Sequence, residues 1–162
     1  MNEFYTEHLI KQKPTAKTMA MKALYIVLCV LAVLAMFVIP FGYIITVIVI
    51  FVVATFFKRL NLEFEYLFIN GDLDIDKIMG QERRKRVFST NVKEIEIMAP
   101  ISYAELKPYE NLKKLDCSSA TDNKNVFGLV ASYKGEKLFV IFEPNETIIN
   151  GMKYLAPRKV LI

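Results

Sequence analysis

ALYIVLCVLAVLAMFVIPFGYIITVIVIFVVATFF, residues 23–57, runs for 35 positions without one Asp, Glu, Lys or Arg. A bilayer core about 30 Å thick takes roughly 20 helical residues to cross, so the stretch holds two short crossings once its flanks are added. Pro40-Phe41-Gly42-Tyr43 divides it into residues 23–39 and 43–57, because proline close to glycine stops a helix locally. Thr18, Met19, Ala20 and Met21 lengthen the first piece, and the alkyl stems of Lys22 and Lys58 reach toward the headgroups. One unbroken helix would be about 50 Å long and would strand apolar surface in water. A transmembrane helical hairpin over residues 18–59, turning at 40–43, is therefore expected. The rival is a buried pair of globular helices, but a run this apolar suits no surface of a 162-residue chain.

The charges orient the hairpin. Lys11, Lys13, Lys17 and Lys22 precede it, Lys58 and Arg59 follow it, and the turn carries none. Under the positive-inside bias both termini are expected in the cytoplasm, with the turn outside. The whole formal charge of +4 sits in residues 1–22 and 58–59, since residues 60–162 balance fifteen basic against fifteen acidic side chains. The basic excess is thus a property of the membrane flanks, and it predicts no nucleic-acid partner.

About one hundred residues remain outside the hairpin, enough for one small domain whose limited core gains from docking to a membrane or partner. Cys29 falls in the first crossing and Cys117 in the domain, so no bridge joins them, as suits a reducing compartment. No cleavable signal is expected, because 22 mostly polar residues precede the apolar run. Residues 1–17 read as a cytosolic leader. In it Phe4, Tyr5, Leu9 and Ile10 are mixed with Glu3, Glu7, His8, Lys11 and Lys13, which suits a short interfacial helix and a frayed end equally. Pro14 breaks this segment and Thr15 is placed to cap the first membrane helix.

After Arg59 the period becomes two. Phe64, Tyr66 and Phe68 alternate with Glu63, Glu65 and Leu67, then Asn70-Gly71 supplies a tight turn, and Leu73 and Ile75 alternate with Asp72, Asp74 and Asp76. Gly80-Gln81 makes a second turn before a strand at 84–90, and residues 91–98 read as another, with Glu94 and Glu96 on one face. Ser102 and Glu105 have capping-box spacing for a short helix at 103–107, ended by Pro108. Strands at 112–118, 126–133 and 137–142 follow, with a polar loop at 119–125 and a turn at Lys134-Gly135. Asn145-Glu146 opens a helix that puts Ile148, Ile149, Met152 and Leu155 on one face and stops at Pro157. For residues 60–162 this order predicts a cytosolic, mainly-β domain: a pleckstrin-homology-like barrel of about seven antiparallel strands with a C-terminal capping helix.

Residues 64–76 (FEYLFINGDLDID), the basic run Arg83-Arg84-Lys85-Arg86, and residues 91–100 with their Val-Lys-Glu-Ile-Glu-Ile core resemble a family of small Firmicutes membrane proteins with two transmembrane helices. More distantly they resemble bacterial pleckstrin-homology domains tethered to membrane helices. The resemblance spans nearly the whole chain. It implies the architecture and a multi-pass place in the bacterial cell membrane, and it brings no biochemical activity with it. Eukaryotic pleckstrin domains hold inositol phosphates in a basic pocket at the first hairpin. Here that hairpin is Asn70-Gly71-Asp72 and acidic, so the ligand does not carry over.

Catalytic constellations are sparse. His8 is the single histidine and lies in the leader, away from any domain nucleophile, and Cys117 reads as a small buried hydrophobe. Asp72, Asp74 and Asp76 lack the glycine and glutamate of a calcium loop, with Lys77 and Arg83 at those places, and their alternation reads as one solvent face of a strand. No metal, cofactor or enzymatic activity is expected. Arg84 and Arg86 have the spacing to pair with Asp74 or Asp76 across a hairpin. Arg83, Arg84, Lys85 and Arg86, with Lys58 and Arg59, are also the candidate contacts for anionic lipid or a partner. The expected role is a membrane-anchored interaction or scaffolding module that recognises a membrane or cytosolic protein, its own copy, or anionic lipid at the inner leaflet. The alternative is an accessory subunit of a membrane enzyme or transporter, with Ala32, Ala35 and Ala54 allowing close helix contact.

Overall fold

The structure is a computed structural model, and it describes residues 4–120 and 125–162. Helices α1 (Ala16–Ala35) and α2 (Gly42–Arg59) are each long and apolar enough to cross a membrane. Thr15 caps α1, its hydroxyl accepting the Thr18 N–H at 3.3 Å. The turn between the helices is longer than expected. α1 ends at Ala35, and Phe41 takes a left-handed conformation, φ 62°, just before α2 begins. The Thr46 hydroxyl donates to the Ala32 carbonyl at 2.7 Å and ties the two helices together. Most of the other large side chains face outward: Phe37 is 77% exposed and Phe51 74%.

Among the described residues, eight strands form two separate sheets. One sheet joins β1 (Tyr5–Lys11), β2 (Leu62–Ile69), β3 (Asp72–Met79) and β4 (Arg83–Asn91) in that order, all antiparallel. The other has the order β5-β7-β8-β6, from β5 (Ile97–Pro100), β6 (Lys113–Asp116), β7 (Phe127–Tyr133) and β8 (Glu136–Phe142), with β6 parallel to β8. Asn70 and Gly71 both adopt positive φ in the β2–β3 turn, the geometry for which an Asn-Gly pair is favoured.

The barrel expected from the sequence is not formed. The fold is mixed α/β, with two four-stranded sheets and neither closed on itself. A barrel needs one ladder continued around with a consistent stagger. Here the segment 91–98, expected as a single strand, is interrupted: the Asn91 side chain accepts the Lys93 N–H and its carbonyl accepts the Glu94 N–H. The turn delivers β5 to β7, where Ile97 faces Val130, and β4 packs beside β7 without a shared ladder. The parallel entry of β6 likewise departs from an all-antiparallel arrangement.

Residues 5–11 also depart from expectation. They are neither an interfacial helix nor a frayed end but strand β1, paired to β2 from Tyr5 against Ile69 to Lys11 against Glu63. Ile10 turns inward on this strand at 9% exposure, and its neighbours Leu9 and Lys11 turn out. The helix expected at 103–107 is a 3-10 helix at Ala104–Tyr109; Tyr103, not Ser102, takes the cap position and makes no side-chain bond there. Within the loop expected at 119–125, residues 121–124 lie outside the described residues.

The core lies between the sheets. Tyr66, Phe68, Ile75 and Phe88 from the first meet Leu129, Val140 and Phe142 from the second, all fully buried. Helix α3 (Glu146–Leu155), capped by Asn145 accepting the Ile148 N–H at 2.9 Å, adds Ile148 and Met152. It comes so close to the first sheet that a Cβ on Gly151 would lie 2.5 Å from the Phe68 ring. One polar latch crosses this apolar space. The Tyr66 hydroxyl donates to the Cys117 carbonyl at 2.7 Å and accepts the Glu143 N–H at 3.2 Å, while burial raises its pKa.

Candidate functional site

The helix pair is inserted into the connection of a β-hairpin. β1 leads through Gln12 and Pro14 into α1, α2 leads through Leu60 and Asn61 into β2, and the two strands pair with each other. The Gln12 N–H bonds the Leu62 carbonyl at 3.0 Å, which holds the two ends of the helix pair together. The β3–β4 turn reaches the same end of the sheet. There the Gly80 N–H bonds the Asn61 carbonyl at 3.0 Å, and Gly80, at φ 62°, lies against α2 with room for a Cβ only 3.0 Å from the Lys58 carbonyl. Any larger residue would have to push α2 away from the turn.

This convergence builds a cleft of about 600 Å³ lined by Lys11, Lys13, Lys22, Lys58, Asn61 and Glu82, among others. A second cleft of about 500 Å³, sharing Lys58, Gly80 and Glu82 with the first, adds Arg59 and Arg83. Together they hold six basic side chains against the carboxylates of Glu63 and Glu82. Glu63 is only 8% exposed and is approached by Lys11 at 3.7 Å. Lys22 donates to the Asn61 side chain at 2.9 Å and stands 5.5 Å over the Phe57 ring, and Arg59 stands 5.2 Å over Phe56. Among the described residues, none of Lys13, Lys22, Lys58, Arg59 and Arg83 is in a carboxylate ion pair. A collar of ammonium and guanidinium groups at the base of an apolar hairpin can bind phosphate oxygens.

The basic run 83–86 is split by the sheet. Arg84 pairs with Glu65 at 2.9 Å. Arg86 bridges Asp74 at 2.7 Å and Asp76 at 2.9 Å, and these carboxylates raise the pKa of its guanidinium. Lys85 is exposed and faces Lys77 across the ladder. Only Arg83 joins Lys58 and Arg59 around one cleft. Strand rise of about 3.3 Å per residue carries Arg86 roughly 10 Å farther from the hairpin than Arg83. Asp72, Asp74 and Asp76 meet Asn91, Ser89 and Arg86 on the outer face, and no cluster of three or more metal-binding side chains occurs among the described residues.

Lys11, Lys13 and Lys22 belong to the site although the sequence reading used them only for orientation. The signal that could have placed them is the concentration of the net charge in residues 1–22 and 58–59. His8, read as remote from the domain, sits on β1 with its ring 6.0 Å from that of Tyr66, beside a cavity also lined by Glu143 and Asn145. Cys117 is fully buried, and burial pushes its thiol up to about 12.

Neither a curated protein nor a solved structure matches the chain. A family model described as Bacterial PH-like domain (DUF6106) matches residues 2–162, and with the match running over essentially the whole length, the chain belongs to that family of bacterial PH-like domains.

Proposed function

We propose that this protein is a membrane-anchored interaction module whose domain meets anionic headgroups at the inner leaflet of the bacterial cell membrane. The observation that carries the reading is the basic collar at the base of a helix pair whose apolar side chains face outward. Outward Leu, Ile, Val and Phe over two whole helices suit a hydrocarbon solvent and would be costly in water. The β1–β2 ladder needs both ends of the hairpin on one side of the bilayer, which supports cytoplasmic placement of both termini beside the positive-inside bias. Each basic side chain near an anionic surface contributes about 1 kcal/mol, so a surplus of several suffices to press the domain onto it. Recognition in place of catalysis is supported by Cys117, whose buried thiol is too reluctant to ionise to act as a nucleophile.

Amide exchange on the full chain in nanodiscs tests this. Phosphatidylglycerol mixed into phosphatidylcholine should protect residues 12–15 and 80–83, and Arg59→Glu with Arg83→Glu should abolish that protection. Equal exchange in both lipids would sink the anionic-surface reading, and release of the chain by a carbonate wash would sink the anchor. A second reading, an accessory subunit of a membrane enzyme or transporter, is favoured by α1 having no buried residue, which leaves its face open to another helix. Copurification at fixed stoichiometry from native membranes supports it, and a monodisperse lone chain in mild detergent counts against it.

A further inference from the structure

We infer that the chain binds one anionic phospholipid as a discrete ligand, its phosphate between Lys22 and Lys58 and one acyl chain in the groove above them; the inference rests on the membrane reading just given. The groove is about 470 Å³, runs between α1 and α2, and is lined by Tyr25, Cys29, Val53 and Ala54 with almost no polar surface. Lys58 lines this groove and also both basic clefts beneath it, so apolar and cationic surfaces meet at one residue. Lys22 lies one helical turn below Tyr25, with its ammonium over the ring of Phe57, which lines the same groove. That ammonium spends one hydrogen bond on Asn61 and keeps two donors for phosphate oxygens.

The sequence of surfaces, apolar groove, cationic mouth and polar cleft, repeats the order of chain, phosphate and headgroup in a phospholipid. Free phosphate would use the mouth and leave the groove unfilled. A helix from a second copy would fill the groove but brings no anion to the mouth, because the hairpin from Ala23 to Phe57 has no acidic residue. Charge complementarity therefore selects a lipid of the surrounding leaflet.

Native mass spectrometry of the full chain in mild detergent, titrated with phosphatidylglycerol or phosphatidylcholine, reads the occupancy. The expected result is one phosphatidylglycerol retained per chain in preference to phosphatidylcholine. Lys22→Ala with Lys58→Ala should lower its retention about thirtyfold. Ala54→Phe, which fills the groove, should lower it too, whereas Val47→Phe, on an outward position nearer the hairpin tip, should not. Matching thermal transitions of the variants would confirm that they are folded. Equal retention of the two lipids, or retention unmoved by both the lysine and the Ala54 changes, overturns the inference, as does a lipid-free dimer. Such failure would leave the chain resistant to carbonate extraction and the protection at residues 80–83 intact, and loss of those two properties would mark failure of the membrane reading itself.

Discussion

The hairpin and the two-sheet domain use the same apolar residue types turned in opposite directions. Phe51 on α2 is 74% exposed, and Phe68 on β2 is wholly buried. On the proposed membrane reading, the contrast teaches that each region is folded against a different solvent: the domain hides its aromatic rings from water, and the hairpin turns them toward lipid. Polar groups follow the same division. In the domain the Tyr66 hydroxyl reaches across the core to backbone groups just past the ends of β6 and β8, and in the hairpin the Thr46 hydroxyl finds a carbonyl of the opposite helix.

The most direct way to break this contrast is to truncate both rings. Phe68→Ala should destabilise the domain by about 3–5 kcal/mol, while Phe51→Ala should move it by less than about 0.5 kcal/mol. Urea denaturation of the full chain in detergent, followed by tyrosine near-ultraviolet signals, measures both. A similar loss at Phe51 would mean that this face packs against protein.

Next in size is an alkaline effect. Burial holds the Cys117 thiol up at about 12, against an ordinary value near 9. Below about pH 9 the folded and unfolded chains both keep this proton, so its full contribution is present. Between about pH 9 and about pH 12 the unfolded chain releases the proton and the folded chain holds it, so stability falls as pH rises. The raised Tyr66 hydroxyl adds to the fall above its ordinary value of about 10. From Cys117 alone a drop of about 2–3 kcal/mol by pH about 11 is expected, and Cys117→Ala should flatten the slope.

Smaller losses sharpen the role of single polar contacts. Tyr66→Phe removes the link between the sheets and should cost about 1–2 kcal/mol. Arg86→Ala leaves Asp76, itself 8% exposed, without its guanidinium and should cost about as much. Arg83→Ala should change stability by less than about 0.5 kcal/mol, yet weaken the lipid-dependent protection of the β3–β4 turn. An Arg83 variant as unstable as the Arg86 one would remove the division of the basic run into paired and available halves.

Local signals in the sequence account for much of this fold. Absent charge exposes the hairpin, the two-residue period of residues 63–76 with Asn70-Gly71 between its halves gives β2 and β3, and Asn145 with Ile148 and Met152 gives α3. What escapes is long-range pairing. β1 carries Thr6 and His8 on the same side as Ile10, too polar to declare a strand, and its partner begins at Leu62, beyond the whole hairpin. The parallel register of β6 on β8 leaves no local signature either, and the side chain of Asn91 ends a stretch whose alternation otherwise continues. The site shows the same limit. The pairing of Arg84 and Arg86 with carboxylates is readable from strand spacing, but the meeting of Lys11 and Lys13 with Lys58 depends on β1 being placed in the sheet.

The insertion of the helix pair between two hydrogen-bonded strands has a practical corollary for protein engineering. Lys11 and Glu63 are direct neighbours, so a short glycine-containing bend could replace everything between them. Such an excised version would retain all eight strands in water, whereas a fragment starting at residue 60 would begin with an orphaned edge where Phe64, Tyr66 and Phe68 lose their flanking strand.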